Sequence, residues 1–131
     1  MRNLFRRLLG NRGEDTAAAY LKRQGLKILA RQHRNHYGEI DLIARDGKQI
    51  VFVEVKTRSG ADHGRPEDAV NDTKQRKIVQ AALCWLKQKR RLGQPVRFDI
   101  VSILWPDPDR EPLVNHYPNA FESSQSGQFF G

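Results

Sequence analysis

Asp41, Glu54 and Lys56 fall within GEIDLIARDGKQIVFVEVKTR, residues 38–58, where two apolar runs meet at Asp46-Gly47. A strand built of Ile, Leu and Val gains nothing from an acid at its middle, because a partly buried carboxylate resists ionisation and a second one beside it repels it. Glu54 and Lys56 are two residues apart, so on a strand they share a face at about 6.5–7 Å separation. With Asp46-Gly47 as a two-residue hairpin turn, Arg45 pairs with Lys48, Asp41 faces Phe52 and Glu39 faces Glu54. That register sets Asp41, Glu54 and Lys56 on one side of the hairpin and Ile40, Leu42, Val51, Val53 and Val55 on the other.

Two carboxylates and an ammonium on one surface suit phosphodiester hydrolysis. A hard divalent cation, Mg2+ or Mn2+, offsets the repulsion between the acids and takes one or two carboxylates together with waters and a phosphate oxygen. Lys56 stands within reach of that phosphate or of a water. Plainer arrangements stay open for each residue. Glu54 and Lys56 also suit an ion pair on a solvent face, Glu14 suits the first turn of a helix, and Glu39 shares the face of Asp41 and competes with it as a ligand. Asp99, in RFDIV, reads as a polar strand residue rather than a ligand. His33 and His36 have a spacing that suits zinc only on a helix, and they fall at a strand connection without nearby cysteines. Cys84 and Trp85 share the apolar stretch of Ile78, Ala81 and Ala82, which points to core packing.

The elements that position these residues follow from periodicity. GEDTAAAYLKRQG, residues 13–25, has helical spacing at Ala17, Tyr20, Leu21 and Gln24 and ends on a glycine. Residues 26–34 read as a first strand, and residues 38–58 supply two more. Residues 65–91 form a helical region whose longer helix starts near Asp72, with Asp72 and Gln75 as a capping box, and ends before Gly93. Residues 95–105 read as a fourth strand and residues 113–117 as a short fifth. The order α-β-β-β-α-β predicts an α/β fold, one mixed β-sheet flanked by helices. The expected organisation is a basic N-terminal arm over 1–12, one domain over 13–121 and a disordered tail over 122–131.

A chain of 131 residues with 23 Lys and Arg against 15 Asp and Glu carries a formal charge of +8. Such a field favours a polyanion, above all nucleic acid. The single cysteine excludes an internal disulfide framework. No apolar run approaches the roughly 20 residues of a membrane span, so no membrane role is expected. Arg6 and Arg7 interrupt the apolar residues of MRNLFRRLLG, so a signal peptide is not expected and the cytoplasm is the expected compartment. No glycine-rich phosphate loop calls for ATP. The segment TRSGADHGRPED, residues 57–68, reads as a loop beside the candidate site. Arg58, Arg65, Lys74, Arg76 and Lys77 could grip phosphates there without reading sequence.

Asp41 followed by Glu54-x-Lys56 on adjacent strands, after an acidic helix, resembles the restriction-endonuclease-like superfamily, PD-(D/E)xK. GEDTAAAYL, GEIDLIA, FVEVKTR, AVNDTKQRKI with AALCWL, RFDIV and NAF, in this order across about residues 12–121, resemble the YraN family of predicted endonucleases with a Holliday-junction-resolvase-like fold. Ile40 stands where the superfamily name has proline. The resemblance implies that Asp41 and Glu54 hold a metal, Mg2+ or Mn2+, with the Val55 carbonyl beside them, that Lys56 completes E-x-K, and that Glu14 adds an acid from the first helix. It implies a nucleic-acid substrate, DNA favoured and branched DNA in particular, and a symmetric dimer if paired strands are cut. The rival expectation is a nucleic-acid or ribosome-associated binding module that keeps the fold and turns over nothing.

Overall fold

The computed structural model describes residues 2–59, 70–107 and 109–122, and the side chains of 11–58, 70–107 and 109–122. Two helices and five strands follow the chain as α1 (Arg2–Arg23), β1 (Lys27–Asn35), β2 (Gly38–Asp46), β3 (Gln49–Ser59), α2 (Asp72–Gln88), β4 (Val96–Trp105) and β5 (Leu113–Phe121). The strands form one sheet in the order β1-β2-β3-β4-β5. Only β3 and β4 run parallel, and the other neighbouring pairs are antiparallel. A parallel pair needs a long crossover, which here carries α2.

Apolar residues cover both sheet faces, so the three layers are helix, sheet and helix. On one face α2 lays Ile78, Val79, Ala82 and Trp85 over Ile43, Ile50, Phe52, Phe98 and Ile100. The Phe52 ring stacks on Phe98 at 5.5 Å and meets Trp85 edge-on at 5.9 Å. On the other, α1 sets Ala17, Ala18 and Leu21 against Leu42, Ala44, Val51, Val53, Val101 and Ile103. Burying an aliphatic side chain of this size is worth about 1.5–3 kcal/mol, and this double cover makes the central strands a firm mount for polar groups. The hairpin side opposite Val51 and Val53 is therefore core near the turn and becomes charged only from Glu54 onward.

Several expectations change in register. The helix expected from residue 13 begins at Arg2 and runs through the proposed arm. The hairpin pairs Asp46 with Gln49 and Ile43 with Phe52, so Gly47-Lys48 are the loop residues and Arg45 does not pair with Lys48. Gly47 has φ 60 at the first loop position, where a Gly-X turn requires it. The shift is even, so from Leu42 to the turn no side chain changes face, but Asp41 no longer faces Phe52. Helix α2 is capped by Asn71, whose Oδ1 accepts from the Lys74 N–H at 2.9 Å, and not by Asp72. Gln75 instead donates to the Val70 carbonyl at 2.8 Å. The short strand expected over 113–117 extends to Phe121. Residues 60–69 and the tail beyond Glu122 lie outside the described residues.

Candidate metal and nucleic-acid site

The pairing of β2 with β3 ends at Leu42 opposite Val53. Beyond it β2 continues beside β1 as far as Gly38, while β3 continues beside β4 as far as Ser59. The two central strands thus part, and Asp41 sits at the fork. Its Oδ2 accepts from the Val55 N–H at 2.8 Å, replacing the backbone acceptor that a continued ladder would provide. On a strand the N–H and C=O of one residue leave by the same edge, so the Val55 carbonyl also points toward β2. Opposite Asp41 on β1 stands Gln32, whose φ of 50 breaks the regular strand. Strict alternation fails here, and Ile40 packs with the α2 core rather than beside Leu42. The expectation that Ile40 shares a face with Leu42 is corrected by this irregularity.

Glu54 and Lys56 project toward α2. The Glu54 side chain is 9% exposed, and the Lys56 Nζ stands 3.8 Å from its Oε1. A closer cation comes from α2, where Lys74 Nζ lies 2.8 Å from the same oxygen. Burial, reinforced by the Glu54 charge, raises the Asp41 carboxyl to about 7, while the bond from Val55 N–H opposes the rise. Burial lowers the Lys56 ammonium, and neighbouring Lys74 lowers it further. Lys74 itself moves up: burial is the largest single influence and pulls it down, but its bonds to Glu54 and Lys56 and the charges of Glu54 and Asp41 together raise it.

Glu14 reaches the fork from α1. Its Oε2 accepts from Gln32 Nε2 at 3.3 Å, and Arg31 Nε stands 3.5 Å from Oε1, an oxygen that is buried without a hydrogen-bond partner. Burial raises its carboxyl, with Gln32 and Arg31 opposing, and its charge adds to the rise at Asp41. Arg31 also pairs with Asp15. The close approach of α1 is set by Gly13: a Cβ there would stand 1.9 Å from Thr57 Oγ1 on β3.

The remaining residues divide. Glu39 pairs with Arg34 at 3.1 Å and lies opposite it on β1, and because the pairing of β2 with β3 ends at Leu42 it is not paired with Glu54. Arg58 lies farther along β3, half-buried, opposite Leu104. Lys74 enters the carboxylate cluster, but Arg76 turns back to the Asp72 carbonyl at 3.3 Å and Lys77 packs near Gly38. Both are exposed on α2, and Arg65 lies outside the described residues. Asp99 is fully buried and bound by Arg97 Nε at 2.8 Å, His116 Nε2 at 2.7 Å and the Asn119 N–H at 2.9 Å. Burial opposes its ionisation, yet these donors hold its carboxyl below the usual carboxylate range. This network closes the irregular end of β5, where Asn119 has φ 53.

Sequence reasoning placed Lys74 among phosphate contacts and allowed it to reach the site from the helix start, though it favoured a solvated face and did not name Glu54 as its partner. A signal was present. A lysine in the first turn of a helix opposes the helix dipole, a misfit that a nearby carboxylate can offset. Among the described residues, two cavities lie elsewhere: one of about 590 Å³ is lined by Arg12, Trp105 and Arg110, and one of about 360 Å³ by Tyr37, Leu83 and Cys84.

Among the described residues no three His, Cys, Asp or Glu side chains are grouped as a ready metal cage. Two hard carboxylates with a backbone oxygen fit Mg2+ or Mn2+, which keep waters and take few protein ligands, better than Zn2+. The raised Asp41 carboxyl marks crowded negative charge that a cation would relieve, whereas Glu14 Oε1 already has Arg31 Nε at 3.5 Å.

One mixed sheet between two helices, with E-x-K at the fork of its central strands, makes this an α/β protein consistent with a restriction-endonuclease-like fold. Residues 13–103 match the family described as "Uncharacterised protein family UPF0102", and the chain belongs to it; this is the YraN family that the motifs resemble. The chain is similar to the UPF0102 protein of Geobacter metallireducens, 49% identical over 92% of this chain and 97% of that protein. It is 51% identical to the UPF0102 protein of Geobacter sulfurreducens over 88% and 90% of the two chains. The UPF0102 protein of Nocardia farcinica is 45% identical over 86% and 88%. Among the described residues no helix is long and apolar enough to cross a membrane.

Proposed function

We propose that the protein binds nucleic acid, DNA foremost, and hydrolyses its phosphodiester bonds with Mg2+ or Mn2+. The observation that carries this reading is the fork at which Asp41 binds the Val55 N–H at 2.8 Å beside Glu54, Lys56 and Lys74. Asp41, Glu54 and the Val55 carbonyl would hold the ion, and Glu14 would add charge from α1. When bound, such an ion activates water and offsets phosphate charge. The protein groups have separate work. The apolar layers around β2 and β3 hold both carboxylates in place before substrate arrives, which spares reorganisation during reaction. Lys56, mounted on the same strand as Glu54, directs its ammonium at the charge that develops on the phosphate. Basic groups outside the cluster, Arg58 and the exposed Arg76 and Lys77, would bind the backbone without sequence preference. Branched DNA is the substrate form we favour, and cutting paired strands would require a symmetric dimer.

The second reading is a binding module that turns over nothing. It draws on one observation: Lys74 already neutralises Glu54 without a metal. Incubation with linear, single-stranded, flapped and four-way-junction DNA and with RNA, in Mg2+ or Mn2+ and then EDTA, separates the two. A product that disappears with EDTA and in Glu54→Gln supports the nuclease. Salt-sensitive binding with no product from any substrate in either metal refutes it and leaves the binding module.

A further inference from the structure

Glu54 has more counter-charge than it needs. Lys56, two residues along the same strand, already stands 3.8 Å from Oε1, yet Lys74 approaches that oxygen to 2.8 Å from a different element. The position is an awkward one for a lysine, because the first turn of α2 presents the positive end of the helix dipole. Asn71 caps the helix through the Lys74 N–H itself, which fixes the backbone from which the ammonium reaches β3.

Charge counting explains the arrangement. Metal binding requires both carboxylates ionised, and with Asp41 and Glu54 so charged, Lys56 and Lys74 already balance them. A divalent ion between the carboxylates would leave two surplus positive charges, unless a cation withdraws or phosphate arrives. Lys74 is the one free to move: its side chain is 39% exposed against 24% for Lys56, and it extends from a helix terminus rather than from the middle of a sheet.

We propose that Lys74 is a resident counter-ion that stands in for the divalent cation on Glu54 and transfers to a phosphate oxygen of the nucleic acid when that cation binds. The inference rests on the metal-dependent reading of the site and deepens it. It makes metal and polyanion mutually supporting: the ion loads poorly onto the free protein, and phosphate both accepts Lys74 and cancels the surplus charge. The cluster thus stays shielded until substrate is present.

The test is calorimetric titration of Mn2+ into the full-length, metal-free protein without nucleic acid, so turnover plays no part. Lys74→Gln keeps a neutral donor for Glu54, and Lys74→Met removes it; melting curves identify which variants are folded. Removing one positive charge this close to the ion should tighten Mn2+ binding by about tenfold or more in each folded variant. Adding Glu54→Gln to Lys74→Gln should abolish the gain. Tightening in the single variants that this second change removes supports the proposal, even if the parent binds Mn2+ too weakly to measure. If the parent binds Mn2+ and the folded variants bind no tighter, Lys74 is no stand-in, while the metal site survives. A gain that persists without the Glu54 carboxylate also overturns the proposal, by placing the ion elsewhere. Failure of the folded variants to bind Mn2+ overturns the proposal, whereas the metal reading stands or falls separately on cleavage in Mg2+ or Mn2+ and its loss with EDTA.

Discussion

Asp41→Asn should stabilise the metal-free protein at neutral pH even though it removes a site residue. The substitution keeps an oxygen that can accept from the Val55 N–H and discards only the charge. In the folded protein burial and the Glu54 charge raise this carboxyl from 3.8 to about 7. An acid raised by folding binds more protons folded than unfolded between those values, so stability falls as pH rises through the window. The parent therefore carries no penalty below the ordinary value, a growing one from about pH 4 to 7, and a constant one above. At 1.36 kcal/mol per pH unit the full difference is about 4 kcal/mol, and the order of magnitude expected is 2–4 kcal/mol. Urea unfolding of parent and variant in EDTA, from pH 4.5 to 8 (about the span of the window), measures it directly. The variant's advantage should grow across that range and then level off. Saturating Mn2+ should shrink it, since an ion offsets the repulsion in the parent and binds the asparagine less well. An advantage that is absent at pH 8, or that does not change with pH, would refute the account of a strained, charge-crowded fork.

Lys56→Met keeps the aliphatic stem and loses the cation, so single-turnover cleavage should fall by about 10² or more with little change in DNA affinity; an unchanged rate in a folded variant removes Lys56 from the chemistry. Gly13→Ala should cost about 1–3 kcal/mol in urea unfolding, because its methyl group would meet Thr57. Thr57→Ala in the same chain should recover part of that loss, and no recovery would mean that α1 is held off by something else. Asp99→Asn leaves Arg97 and His116 beside a neutral amide and should cost about 3–5 kcal/mol at pH 7. Since folding lowers the Asp99 carboxyl, the parent loses this advantage only as pH falls below the ordinary 3.8, so the gap should narrow only in acid.

Much of this protein was legible along the chain. The apolar runs of β2, β3 and β4, the helical spacing in α1 and α2 and the Asp-Gly turn signal are local patterns, and local patterns set element type and order. Charged residues placed where strands favour aliphatics marked Asp41, Glu54 and Lys56 for the same reason: a residue that costs burial energy stands out against its neighbours. Quantities that depend on partners distant in sequence were not legible. The hairpin register turned on whether Asp46 or Gly47 opened the loop, a choice between two turns that both tolerate the same glycine. At the fork between β2 and β3 each strand continues beside its outer neighbour alone, β1 or β4, and nothing within residues 38–58 reports that parting. Lys74 was readable as an odd lysine at a helix start, but its partner, twenty residues earlier, is brought to it only by the crossover that carries α2 over the sheet. Asp99 looked like an ordinary polar strand residue until β5 folded His116 and Asn119 onto it. Spacing along one element constrains which side a residue faces, whereas a carboxylate's charge state depends on groups that only the closed sheet brings within a few ångströms.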